Sequence, residues 1–154
     1  MKDLGHLTYF LGLKVHFQQK DIFVSQNKYT QDLIQLACLT NATVVDTPVE
    51  VNVKLRWDEG ELLPDPTLYK NLVGSLTYLT ITRLDIFFDV HTVSKFMQNL
   101  RHLHFSTIQC IIKYLLATPR RGLFFPTTSL GIKLKAYNDG DWTGCSDTRK
   151  STTC

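Results

Sequence analysis

Between residues 67 and 117 the sequence places apolar side chains at helical spacing three times in succession. Leu72, Val73, Leu76 and Leu79 share one face of a segment running from about 67 to 80. Ile86, Val90, Val93 and Met97 do so from about 85 to 99, and Ile108, Ile111, Ile112, Leu115 and Leu116 from about 103 to 117. A stripe that returns every three to four residues marks a helix that must hide one side. Three such stripes in series satisfy one another by packing together, so the middle of the chain is predicted to be a helical unit. Gly122, just past PRRG, suits the end of the third helix.

The flanks follow a different period. In YFLGLKVHF, residues 9–17, Tyr9, Leu11, Leu13, Val15 and Phe17 alternate with Phe10, Gly12, Lys14 and His16, which predicts a half-buried strand. The polar QQKD then turns the chain into IFVSQ, and the two strands form a hairpin. Ser25 to Asn27 offers helix-start chemistry, followed by Tyr29, Leu33, Leu36 and Ala37 at helical spacing. Residues 40–66, with Pro48, Gly60, Pro64 and Pro66, read as a linker holding at most a short extended segment, TPVEV. GLFFP and the alternating Leu130, Ile132, Leu134 and Ala136 read as two closing strands. They are expected to lack the partners that make a sheet independently stable, and residues 122–154 are expected to be loose. The fold class is α+β.

Composition narrows the function. Hydrophobic residues make up 44% and charged residues 20% of the 154, enough to bury a core. The net charge of +3 permits nucleic-acid contact without demanding it. Cys38, Cys110, Cys145 and Cys154 form no C-x-x-C pair, so they read as reduced thiols of an intracellular protein rather than zinc ligands or a disulfide framework. No signal peptide is apparent, and no apolar run approaches the roughly 20 residues that span a bilayer.

Few residues carry candidate chemistry. Asp139, at the mouth of the last predicted strand, could hold a divalent metal, whereas Asn138-Asp139-Gly140 could equally be an Asx turn. Asp141 and Asp147 are weaker ligand candidates. Lys14, His16 and Lys20 could meet phosphates from the hairpin, or simply form a solvated sheet face. Gly74 and Ser75 interrupt a good helix, and an interior glycine costs about 0.5–1 kcal/mol relative to alanine. Either close helix packing or the approach of a nucleic-acid backbone would offset that. Arg83, Arg101, Arg120 and Arg121 read as solvated ends. His91, His102 and His104 read as core or surface histidines, not as a metal cluster.

Seven strings in order, MKDLGHLTYFLGLKV, SQNKYTQDLI, DTPVE, YKNLVGSLTYLTITRLDI, VSKFM, IIKYLLATPRRGL and YNDGDWTGCSDTRKST, together resemble the Pol polyproteins of Ty1/copia retrotransposons and related plant mitochondrial reading frames. Leu84, Leu100 and Cys154 stand where that pattern has proline, proline and glycine. The resemblance implies a stretch of reverse transcriptase downstream of its Tyr-x-Asp-Asp motif, which this sequence lacks. Residues 1–39 would be the end of the palm, with a primer-grip-like hairpin centred on Phe10, Leu11 and Gly12. Residues 40–66 would be a linker, 67–118 a helical thumb and connection, and 119–154 the truncated start of an RNase H-like domain. Asp139 would be its first catalytic carboxylate and a vestigial metal ligand. RNase H chemistry uses two metal ions about 3.5–4 Å apart, so Mg2+ is implied for the intact parent and no cofactor for this fragment. The implied partner is an RNA–DNA hybrid or other duplex, contacted by Phe10, Leu11, Gly12, Lys14, Lys20, Gly74 and Ser75. No membrane partner and no small-molecule cofactor are expected. The fragment itself is expected to be inactive. The alternatives are a non-catalytic duplex-binding module and a translated relic without function.

Overall fold

The computed structural model describes residues 7–19, 21–49, 55–56, 60–126, 140–141 and 152–153. The apolar stripes become four helices: α1 (Asn27–Leu36), α2 (Thr67–Leu79), α3 (Phe87–Ser94) and α4 (His102–Ala117). Their faces close on one another as the spacing requires. Tyr69, Leu72, Val73, Leu76 and Leu79 of α2 meet Ile108, Ile111, Ile112 and Leu115 of α4 in one buried cluster. Val90 and Val93 of α3 and Leu33 and Ile34 of α1 complete it. Each such side chain taken fully from water contributes roughly 1.5–3 kcal/mol.

Two expectations about this unit change. The second helix, expected over 85–99, starts as a 3-10 turn, Leu84–Ile86, and its α-helical part ends at Ser94. Lys95 and Phe96 donate to Thr92 and Val93, three residues back, which tightens the last turn. The change of direction lets Phe96 stack on His104 with ring centres 4.2 Å apart. Residues 40–66 also do more than connect. Val45, Val49, Leu55 and Leu63 pack against the helical core. Leu63 N–H donates to the Leu100 carbonyl at 2.8 Å, and His102 N–H to that of Glu61 at 3.0 Å. Aperiodic apolar residues reveal no element, yet they can still seal a groove between helices.

The N-terminal strand also differs. It is not one run over 9–17 but β1 (Tyr9–Phe10) and β2 (Leu13–Gln18), reversed about Leu11 and Gly12. Leu11 has φ 46° and Gly12 φ 79°, the two positive values that a tight two-residue hairpin turn needs. β2 pairs with β3 (Asp21–Ser25), and β3 with β4 (Leu123–Phe125), all antiparallel in the order β1-β2-β3-β4. The GLFFP strand therefore has a partner, with Ile22 opposite Phe125 and Val24 opposite Leu123. β5 (Gly140–Asp141) pairs with β6 (Thr152–Thr153). The predicted strand over 130–136, Lys20 and Asp139 lie outside the described residues. None of the four sheet strands contributes to the helical core cluster or to the side chains packed against it.

Candidate nucleic-acid interface

With no shared core, the hairpin is placed against the helices by a few specific contacts, and Tyr78 is central to them. It stands one residue before the end of α2, four past Gly74 and three past Ser75, so it shares their side of the helix. Its hydroxyl donates to the Leu11 carbonyl at the β1–β2 turn. A Cβ on Gly12 would sit 3.6 Å from the Tyr78 ring, and Gly12 also needs its positive φ. Tyr29 of α1 meets the same ring edge-on at 5.1 Å. Beneath, the buried Gln26 accepts from the Thr82 hydroxyl at 2.7 Å. The turn residues Phe10, Leu11 and Gly12 are thereby brought beside the α2 face that carries Gly74 and Ser75. Phe10 and Leu11 remain exposed.

Gly74 is exposed in the middle of α2, and a Cβ built there would meet none of the described residues within 4 Å. Close packing against the described residues therefore does not account for it. Lys70, Asn71 and Thr77 are exposed on the same flank, while Ser75 is half-buried. On the sheet, Lys14 is exposed and His16 half-buried.

Arg83 corrects a sequence expectation. It is not a solvated end: its side chain is 1% exposed. Nε and Nη2 donate to the two carboxylate oxygens of Asp85 at 2.9 and 2.8 Å. Nη1 and Nη2 donate to the carbonyl and hydroxyl of Thr118 at 2.9 and 2.8 Å. Tyr114 donates to Asp85 at 2.8 Å, and Arg121, itself 57% exposed, approaches the same oxygen at 3.3 Å. This network ties the start of α3 to the end of α4, just before β4 joins the sheet. Desolvation pushes the Asp85 carboxyl up, but the hydrogen bonds from Arg83 and Tyr114 and the Arg83 charge outweigh it and hold it down at about 2. Arg101 is half-buried and donates to the Gly60 carbonyl, so it too is engaged.

His104 is a core histidine. Its Nδ1 accepts from Arg101 N–H at 3.2 Å, which leaves Nε2 to carry the proton towards the Arg56 carbonyl at 3.1 Å. Burial holds its pKa below the ordinary value. Among the described residues no group of three or more His, Cys, Asp or Glu is placed to hold a metal ion, and no helix is long and apolar enough to cross a membrane. Sequence reasoning missed Tyr78 and Lys70. The available signal was their spacing of four residues on either side of Gly74.

Aligned with known proteins, the chain is 36% identical over 152 residues to the retrovirus-related Pol polyprotein from transposon RE2 of Arabidopsis thaliana, an alignment that covers 99% of this chain. It is 33% identical over 153 residues to the uncharacterized mitochondrial protein AtMg00810 of the same plant, covering 99% of this chain and 63% of that protein. A second such protein, AtMg00240, is 41% identical over 76 residues, which are 49% of this chain and 68% of its own length. The chain is homologous to retrotransposon Pol-like proteins. It spans about a tenth of the RE2 polyprotein's length. No family model and no solved structure matches it.

Proposed function

We propose that the chain is the duplex-gripping part of a Ty1/copia-type reverse transcriptase, holding an RNA–DNA hybrid between the hairpin turn and α2. In this reading Phe10, Leu11 and Gly12 present the turn, Gly74 and Ser75 admit the sugar–phosphate backbone, and Lys14, Lys20 and Lys70 meet phosphates. The observation that carries the reading is Gly74. An exposed glycine inside a helix costs about 0.5–1 kcal/mol, and none of the described residues requires the missing side chain. The homology to Pol-like proteins supports an RNA–DNA hybrid as the ligand. Residues 119–154 belong in this reading to the start of an RNase H-like domain, with Asp139 its first carboxylate and Mg2+ the metal of the complete parent enzyme. The chain by itself performs neither polymerisation nor RNA cleavage.

The test is binding of a labelled RNA–DNA hybrid to wild type, Gly74→Ala and Gly74→Leu. The expected result is opposed signs: Gly74→Ala raises stability by about 0.5–1 kcal/mol while hybrid affinity falls several-fold, and further in Gly74→Leu. Two or three usable cations predict a shallow log–log salt slope of roughly −2 to −3, flattened by about one to two units in a Lys14→Ala/Lys20→Ala variant. Hybrid affinity unmoved by either Gly74 substitution would overturn the assignment of α2.

A further inference from the structure

The four-stranded sheet has two unlike faces. Residues directly opposite across antiparallel strands share a face, so the register decides which side chains stand together. On one face His16, Phe23 and Phe124 are successive cross-strand neighbours and form a row across β2, β3 and β4. The His16 and Phe23 rings lie 6.1 Å apart, tilted by 41°. One step along β2, Tyr9 stands opposite Lys14. Tyr9 is 55% exposed, Phe124 is 56% exposed and Lys14 is exposed as well. Asp21 sits at the far end of this face, opposite Gln18 and two positions along β3 from Phe23. Among the described strand residues the other face is apolar, carrying Val15, Val24 and Phe125 among others, with no cation.

Open rings interleaved with a cation are what unpaired bases need. Every base has a flat face that stacks on an aromatic side chain, and its phosphate needs a positive partner within reach. Four-stranded sheets with exposed aromatics stack about two or three bases in this way. A base-paired duplex hides its base faces and cannot use such a surface.

We propose that the face carrying Tyr9, Lys14, His16, Phe23 and Phe124 is a stacking platform for single-stranded nucleic acid. Phe124 and Tyr9 are its open rings, His16 and Phe23 form the floor between them, and Lys14 meets a phosphate. The site extends the nucleic-acid reading above and shares only Lys14 with it; Phe124 belongs to the platform alone and Gly74 to the duplex grip alone, so those two positions separate them.

The experiment measures binding of labelled oligo-dT and oligo-U to the full 154-residue chain at low salt. Phe124→Ala and Phe125→Ala change adjacent residues of one edge strand, 56% and 52% exposed, that point to opposite faces. Matched exposure makes Phe125→Ala the control for any loss of folding. The expected result is that Phe124→Ala lowers oligonucleotide affinity roughly tenfold, the loss of one base stack, while Phe125→Ala leaves it unchanged. Lys14→Ala reduces the single-strand salt slope by about 0.7. Phe124→Ala leaves hybrid binding as in wild type, and Gly74→Leu leaves oligonucleotide binding as in wild type. Absence of oligonucleotide binding at low salt, or equal effects of Phe124→Ala and Phe125→Ala, would overturn the platform. Oligonucleotide binding without hybrid binding would remove the duplex grip and leave the platform standing.

Discussion

Replacing Asp85 by asparagine tests what holds the end of α4 to the start of α3. The substitution keeps the shape of the side chain and removes its charge. It leaves the Arg83 guanidinium 1% exposed with neutral acceptors only, the remaining amide oxygen at position 85 and the carbonyl and hydroxyl of Thr118, and with an amide N–H facing its own donors. Removing one partner of a buried ion pair costs about 3–5 kcal/mol, because the remaining charge is stranded. The Asp85 side chain is 28% exposed, so water reaches the pair and the low end, about 3 kcal/mol, applies. Acid should remove the same interaction. The Asp85 carboxyl is held at about 2 against 3.8 when unperturbed. A depressed carboxyl contributes stability that is fully present above the unfolded pKa and lost as pH falls through the folded one. The window is therefore pH 4 to 2, and the loss is about 1–2 kcal/mol once solvent screening is discounted. Urea denaturation followed by far-UV circular dichroism measures both quantities. Asp85→Asn should lose about 3 kcal/mol near neutral pH and should fall less than wild type between pH 4 and 2, by about 1–2 kcal/mol. Arg83→Met combined with Asp85→Asn should recover part of the loss, because no buried charge is then stranded. A single variant within about 0.5 kcal/mol of wild type, the scatter of ordinary surface changes, would refute the reasoning. So would an unchanged pH profile.

Other outcomes follow from the same geometry. Tyr78→Phe removes only the hydroxyl that reaches Leu11; it should cost about 0.5–1.5 kcal/mol at most and speed amide exchange at the β1–β2 turn, and unchanged exchange there would dismiss Tyr78 as the clasp. His104 is buried and its pKa is lowered, so unfolding should become easier as pH falls below the unfolded value of about 6.5, down to the folded value; a His104→Gln variant should lose that pH dependence in urea titrations. Leu76→Ala, at a fully buried position of α2, should cost about 2–5 kcal/mol, read from the urea midpoint. Arg121→Ala, at an exposed end of the Asp85 network, should cost under about 1 kcal/mol, and a loss matching that of Asp85→Asn would mean the network is misassigned.

Sequence and tertiary structure settle different things in this chain. The three helical stripes are local and periodic, so α2 and α4 are found within a residue or so of their expected ends. The seven ordered strings already carry the kinship with Pol proteins. The reversal at Leu11 is hidden because alternation continues through a two-residue turn, and only the positive φ of Leu11 and Gly12 reveals it. Arg83 looks like any charged helix end, since its acceptor Thr118 lies 35 residues away and burial is a property of the packed bundle. The partnership of β4 with β3 joins residues roughly a hundred positions apart and has no local signature. The same holds for the meeting of the hairpin turn with the Gly74 flank through Tyr78. Periodicity reports which side of an element is apolar. Which element covers that side, and which residues are left facing a ligand, is decided only when the chain closes on itself, because burial and cross-strand register depend on contacts distant in sequence.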